Sequence, residues 1–379
     1  MQLPRVDYDT TPFLIIWETT QACDLACHHC RASAQPERDR RELNTAEGKN
    51  LLDQAAAMGT PIFILSGGDP LKREDLYQLI RHGADRGLRM ATIPAATDRL
   101  QEPVVADLKR AGLSQMALSL DFPTAGLHDA FRGVPGAFAK TMQAIDWAHE
   151  QQLPLQINTT ITANMLPHLP SMVDLVRTLG VVFWEVFFLV PMGRGSELQS
   201  LTAEQCEEVF GILYGLQKQV PFLVKVTEAP HYRRYVAQRE AEEGTSARHP
   251  HALPSQLVRT EGPGRSIGLA PRGVNSGNGF LFISHTGEIY PSGFLPIPAG
   301  NVRSDRIADI YRGSDLFRSL RRPQDLHGPC GRCEYNAICG GSRSRAYALS
   351  GDPLASDPWC AYAPGSHPSV AAAGEEERL

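Results

Sequence analysis

The sequence lacks a long apolar run. Its longest clean ones, Phe13 to Trp17 and Val186 to Val190, fall far short of the ~20 residues a membrane-spanning helix needs. The first residues, Met1 to Asp9, carry neither the basic start nor the apolar stretch of a secretion signal. Charge of one sign is scarce as well. There are 37 Lys and Arg against 42 Asp and Glu, a net −5, too mild to steer the chain in bulk toward nucleic acid or an anionic membrane. No internal repeat suggests a solenoid. These absences lead us to expect a cytoplasmic protein with no nucleic-acid and no membrane partner. What remains is ordinary for a globular chain with a large core: 379 residues, 42% hydrophobic and 21% charged. At ~150 residues per domain that length gives two or three units, or one large α/β barrel with an addition.

Cysteine is the exception. There are eight, and seven fall into two tight groups: Cys23, Cys27 and Cys30, then Cys330, Cys333, Cys339 and Cys360. A disulfide framework belongs to short secreted chains, so clustered thiols here point to metal binding.

From Phe13 to about Leu189 short β-rich runs alternate with amphipathic stretches. Strands are expected at Phe13–Glu18, Pro61–Ser66, Leu88–Ile93, Gln115–Asp121, Pro154–Ile161 and Phe183–Val190, near-continuous apolar or β-branched runs of the kind buried parallel strands show. Helices are expected between them, the first opened by Asn44-Thr45-Ala46-Glu47 and the fourth preceded by Pro135-Gly136. Six strand–helix units with right-handed crossovers predict an α/β fold, a partial (β/α)6 barrel, with its chemistry on loops at the C-terminal strand ends. Beyond about Pro221 the pattern changes. Residues 244–275 are rich in Gly, Pro and Arg, and a loop that long inside a compact chain is usually a lid, a binding loop or a disordered insert; a lid over the substrate is the expectation here. Gly279–Ser284 and Ile289-Tyr290 read as a β-hairpin, a Cys-rich extension follows, and residues 363–379 read as a disordered tail. The expected divisions are 1–12, an N-terminal extension; 13–225, the core; 226–278, a linker and loop; 279–362, the Cys-rich domain; and 363–379, the tail.

Cys23-x3-Cys27-x2-Cys30 directly follows the first expected strand. Three thiolates so spaced can hold three irons of a cubane cluster and leave the fourth iron open. A zinc knuckle completed by His28 or His29, or a redox-sensing loop, also fits the spacing. Ser66-Gly67-Gly68-Asp69-Pro70 ends the second strand, Leu118-Ser119-Leu120-Asp121 the fourth, and His128-Asp129-Ala130-Phe131-Arg132-Gly133 follows. Taken in this order, residues 13–220 resemble the radical S-adenosylmethionine (SAM) superfamily. The resemblance implies a [4Fe–4S] cluster on Cys23, Cys27 and Cys30 whose open iron is chelated by SAM, with His29 at a position usually aromatic. It also implies SAM contacts from Gly67, Gly68 and Asp69 to the ammonium, from Ser119 and Arg132 to the ribose or carboxylate, and from Asn158, beside Thr160, and Leu189 around the adenine. The activity implied is reductive cleavage of SAM to a 5′-deoxyadenosyl radical that abstracts hydrogen from a substrate, with an electron donor such as flavodoxin or ferredoxin.

Cys330, Cys333, Cys339 and Cys360 supply four thiolates, enough for a second [4Fe–4S] cluster or for structural zinc. This stretch resembles the SPASM/twitch extension of radical SAM enzymes, which implies an auxiliary [4Fe–4S] cluster. Ser292 and Arg343 stand where the seven-cysteine pattern has further ligands, so one auxiliary cluster fits and two do not. Cys206, left over, is expected as a buried thiol in the sixth helix. The segment from Cys330 to Cys360 resembles the haem-synthesis branch, which acts on carboxylate side chains of tetrapyrroles. Arg343, Arg345, His231, Arg233 and Arg234 are candidates to pair with such carboxylates. His231 and Tyr232 are the candidate catalytic residues, as an axial iron ligand and a radical or proton relay. A peptide-modifying maturase forming thioether or carbon–carbon crosslinks is the rival reading, and a non-catalytic iron–sulfur electron carrier a remote third.

Overall fold

The computed structural model describes residues 6–244 and 273–366. Seven parallel strands form its centre: β1 (Leu14–Glu18), β2 (Ile62–Ser66), β3 (Arg89–Thr92), β4 (Gln115–Ser119), β5 (Leu155–Ile161), β6 (Phe183–Phe188) and β7 (Leu223–Thr227). Helices cover their outer side: α1 (Thr45–Ala57), α2 (Leu76–Asp85), α3 (Glu102–Arg110), α4 (Ala125–Arg132), α5 (Ala137–Glu150), α6 (Leu169–Thr178) and α7 (Ala203–Gln217). Buried on both faces, the strands read as apolar runs, and Trp17 and Trp184 are fully enclosed. The capping box expected at Asn44 is present: its side chain accepts from Glu47 N while the Glu47 carboxylate accepts from Asn44 N.

The hairpin of β8 (Phe280–Ile283) and β9 (Glu288–Tyr290) forms as expected, with β10 (Gly300–Asn301) beside it. Its place was not foreseen. β8 pairs in parallel with β1, Leu14 opposite Phe280, so one sheet of ten strands runs β10-β9-β8-β1-β2-β3-β4-β5-β6-β7. Helices α8 (His231–Glu242), α9 (Ile307–Gly313), α10 (Asp315–Leu320), α11 (Gly328–Arg332) and α12 (Arg343–Ser350) complete the described chain.

Three expectations change. Among the described residues seven parallel strands rather than six precede the hairpin, and β7 runs past the expected boundary at 225. The linker expected from 226 contains α8, whose buried face is polar (His231, Arg234, Gln238, Glu240) and so shows no hydrophobic period. The motif 128–133 lies mostly on α4, closed by Gly133 in the left-handed conformation. Most of the expected lid, residues 245–272, and the tail from 367 onward lie outside the described residues.

Candidate active site

The loop after β1 carries Cys23 and Cys27, both buried, and Cys30, half-buried, none of them in a disulfide. Backbone bonds pin it. Cys23 N donates to Gln35 O at 2.8 Å and His28 N to Phe131 O at 2.9 Å. Leu25 N and Ala34 N donate to the sulfurs of Cys23 and Cys30, each at 3.4 Å. Burial pushes the Cys23 thiol up to about 12, so a thiolate here calls for a positive centre to hold it. The turn after β2 lies directly against this loop, with Gly68 N donating to Thr20 O and Asp69 N to Ala22 O, both at 2.7 Å. A Cβ on Gly68 would stand 2.4 Å from Ala22 O, so only glycine lets the two backbones meet.

Both loops open into a cavity of about 430 Å³ at the C-terminal ends of the strands. Gly67, Gly68, Ser119, Arg132, Asn158 and Leu189 all line it. Asp69 is the exception. Fully buried, it accepts from Leu71 N at 3.1 Å, Ala95 N at 3.3 Å and Thr97 Oγ1 at 3.2 Å. In this structure the carboxylate shapes the turn and stands off the cavity wall.

Arg132 is a buried ion pair rather than a free cation. It is bound to Asp121, with Nη1 3.6 Å from Cys27 Sγ. His29 stacks on Phe131 at 4.5 Å, and burial lowers its pKa to about 4, keeping the imidazole neutral. Along the inner face a polar ladder crosses the sheet. Gln115 donates to Gln156, Gln156 to Asn158 and Glu185, and Lys225 to Glu185. The sequence reading missed Arg194, just after β6. Its Nε donates to Cys27 O at 2.8 Å, its Nη2 is buried with no partner among the described residues, and it lines the cavity. The Gly193-Arg194 pair after a strand end was the available signal. A Cβ on Gly193 would meet Arg31 O at 2.3 Å.

The far wall of the cavity includes Glu228, Tyr232, Arg233, Asn275 and Ser276. Behind it lie the other cysteines. Arg233 Nη1 donates to Ile338 O at 3.1 Å, and Asn275 Nδ2 to Cys339 O at 3.4 Å. Amide groups point at this second set too, from Gly341 N to Cys339 Sγ at 3.3 Å and from Asp357 N to Cys330 Sγ at 3.4 Å. Burial raises the Cys339 thiol to about 12. Among the described residues no three His, Cys, Asp or Glu side chains converge on one point. Unpaired thiols in two loops, each with amides aimed at sulfur, fit iron–sulfur clusters.

Models of two families match the chain: the radical SAM superfamily over residues 17–177, and an iron–sulfur cluster-binding domain, SPASM, over 275–334. An AdoMet-dependent heme synthase of Oleidesulfovibrio alaskensis is 42% identical over 98% of this chain and 93% of its own length. The chain belongs to the radical SAM superfamily. A heme synthase of Methanosarcina barkeri is 39% identical, covering 93% of this chain and 97% of its own. A PqqA peptide cyclase of Rhodopseudomonas palustris is more distant, at 28% over 93% and 88%. Among solved structures, SuiB of Streptococcus suis bound to S-adenosylmethionine superposes with a TM-score of 0.69 at 15% identity, over 93% of this chain and 78% of that one, which speaks to the fold.

Within this radical SAM enzyme several expected carboxylate partners are already engaged. Arg343 donates to the carbonyls of Gly341, Pro353 and Ala355, Arg345 to Asp357, and Arg234 to Glu207 and Gln238. His231 is fully buried beside Arg345 and Asp357 and does not line the cavity; burial lowers its pKa to about 3. It is therefore not placed to ligate a substrate's iron. Tyr232 does reach the cavity. Cys206 lies fully buried in α7, as expected.

Proposed function

We propose that this radical SAM enzyme acts on the carboxylate side chains of an iron tetrapyrrole, in the manner of the heme synthases it resembles along nearly its whole length. The observation that carries the reading is Arg233. Its guanidinium lines the cavity and donates to the carbonyls of Ile338 and Val274, with no carboxylate partner among the described residues. A half-buried cation without a carboxylate partner is costly, and desolvation lowers its pKa. A substrate carboxylate would complete the pairing, and the planar guanidinium offers it a two-pronged donor.

At the other end of the cavity, SAM would sit against the Gly67-Gly68 turn, Ser119, Asn158 and Leu189, with the unpaired Nη2 of Arg194 receiving its carboxylate. Cys23, Cys27 and Cys30 would hold the cluster that SAM chelates, and Cys330, Cys333, Cys339 and Cys360 the auxiliary one. When bound, these groups supply a 5′-deoxyadenosyl radical that removes one hydrogen atom from the substrate and an acceptor for the electron left after carbon dioxide departs. The residues of the chain do the rest. They orient the propionate, exclude water, and keep the polar ladder from Gln115 to Lys225 around the reacting groups. We also infer a cytoplasmic setting with a flavodoxin or ferredoxin as electron donor, and a core that runs through β7.

The test is an anaerobic turnover with reductant, SAM and iron-coproporphyrin, followed by mass spectrometry. Stepwise loss of carboxylate matched by 5′-deoxyadenosine is the expected result. Formation of 5′-deoxyadenosine over an unchanged porphyrin would overturn the substrate and turn attention to a peptide. An Arg233→Gln variant should raise KM for the porphyrin at least tenfold while leaving SAM binding intact.

A further inference from the structure

Arg343 opens α12 with 1% of its surface exposed. Its Nε donates to Gly341 O at 3.2 Å and its Nη1 to Pro353 O at 3.0 Å and Ala355 O at 2.7 Å, while Nη2 lies 3.9 Å from Cys330 Sγ. Among the described residues every oxygen it touches is a neutral carbonyl. The acids nearby are already engaged. Asp357 is paired with Arg345 at 2.6 Å, and Asp352, 2.8 Å from His327 near the surface, feels the Arg343 charge without touching it. Glu228 accepts from Ser342 at 2.6 Å and Ser344 at 3.0 Å. His231, kept neutral by burial, adds no charge. The first cysteine loop offers a contrast. There Arg132 also approaches a ligand sulfur, at 3.6 Å, but Asp121 neutralises it.

Burying a guanidinium with no anion in contact is costly. A sulfur-ligated iron cluster carries net negative charge, and reduction makes it more negative. A fixed cation beside one ligand sulfur therefore favours the reduced state and raises the potential.

We propose that Arg343, beside Cys330 Sγ, is a counter-charge of the auxiliary cluster and helps poise it to accept an electron. The step it serves is balanced. One hydrogen atom leaves the substrate with the adenosyl fragment, the bond to the carboxylate breaks to release carbon dioxide, and the remaining electron passes to the oxidised auxiliary cluster. The inference rests on the reading that Cys330, Cys333, Cys339 and Cys360 hold an iron–sulfur cluster.

The experiment is a redox titration of the full chain, reconstituted anaerobically and followed by electron paramagnetic resonance. The auxiliary signal is the one that does not respond to added SAM. In R343Q the equilibrium constant for reducing that cluster should fall at least tenfold, about 59 mV for one electron. R343K, which keeps the charge but not the fork, should stay within a few-fold of wild type. The SAM-responsive midpoint should not move in either variant. An unchanged auxiliary midpoint in an iron-replete R343Q would overturn the proposal, and so would an equal drop in R343K. If R343Q fails to hold the second cluster, retention with a wild-type midpoint in R343K supports the counter-charge role, and loss from both variants overturns it. A wild-type protein with no second iron–sulfur signal would instead defeat the cluster reading. Shifted midpoints over an unreactive porphyrin would defeat only the substrate.

Discussion

Replacing Asp69 by Ala removes the acceptor of one buried and two half-buried donors: Thr97 Oγ1 at 3.2 Å, and Leu71 N and Ala95 N at 3.1 and 3.3 Å. Each orphaned donor costs ~1–3 kcal/mol. With partial relaxation of the exposed side of the turn, the loss should be about 2–5 kcal/mol. Asn is a different perturbation. Its amide oxygen can replace Oδ1, which serves both backbone donors, and the Thr97 hydroxyl can rotate to accept from the amide nitrogen. Burial raises the Asp69 pKa. A raised carboxylate pKa gives stability that is full below the unfolded value and is lost as pH rises through the folded one. At neutral pH, Asp69→Asn, which cannot ionise, should therefore be within about 1 kcal/mol of wild type or above it. The assay pairs chemical denaturation of the anaerobic holoprotein with a SAM binding isotherm. We expect the Ala variant to lose stability and the Asn variant to keep both stability and SAM affinity. An Asn variant that folds like wild type but binds SAM tenfold or more weakly would refute the reasoning, since the carboxylate would then be meeting the cofactor directly.

Glu18 carries a pH signature of the opposite sign. Burial would raise its pKa, but the charge of Arg31 and the hydrogen bond with His285 outweigh that and hold it at about 2, against 4.5 for a free Glu. The stability it provides, on the order of 3 kcal/mol, is present above pH 4.5 and lost as pH falls toward 2. Glu18→Gln should flatten the acid limb of the stability curve, read by denaturant midpoints between pH 3 and 6. The cysteines should divide cleanly. Cys27→Ala should abolish SAM cleavage and lower the iron content, whereas Cys206→Ala should keep the iron of wild type and cost ~1–2 kcal/mol for its packing, both read by iron analysis and 5′-deoxyadenosine release.

The barrel was legible because its strands are buried on both faces and so announce themselves as apolar runs. All six expected strands lie within a residue or two of their observed ends. The cysteine loop and the Gly67-Gly68 turn were legible because backbone proximity and metal ligation each demand particular residue types. What escaped notice shares one physical cause. The element α8 buries His231, Arg234, Gln238 and Glu240, and α12 buries Arg343, Ser344 and Arg345. Polar residues that pair with one another inside the protein carry no hydrophobic period, so α8 read as linker, α12 as part of the Cys-rich domain with no helix marked, and their arginines as free to meet a substrate. The ion pairs Arg234–Glu207 and Arg345–Asp357 join residues 27 and 12 positions apart, and nothing in the sequence links their partners. Asp69 misled for a related reason. A turn motif specifies the backbone, and its acid can be spent on the turn itself.

The pairing of β8 with β1 bears on how the two cysteine groups are held relative to each other. Four residues of each strand are in register, from Leu14–Phe280 to Trp17–Ile283, so the extension continues the sheet of the core rather than resting on it. Backbone ladders do not slide, since a shift of one residue would turn every side chain to the other face. Cys23 follows β1 by five residues beyond Glu18, and Arg31 from the same loop reaches over Phe282 on β8 at 4.8 Å and donates to Gly293 O at 3.1 Å. On the opposite side Glu228, at the end of β7 and held at φ 60°, is bound by Ser342 and Ser344 of α12. A non-glycine residue in that conformation persists only where its surroundings over-determine it, and here the two serines do so. The second cysteine group is thus tied to both ends of the strand array that surrounds the cavity. An electron passing from a substrate in that cavity would cross a distance fixed by the sheet, which leaves local charge, and Arg343 first among it, as the means of setting its direction.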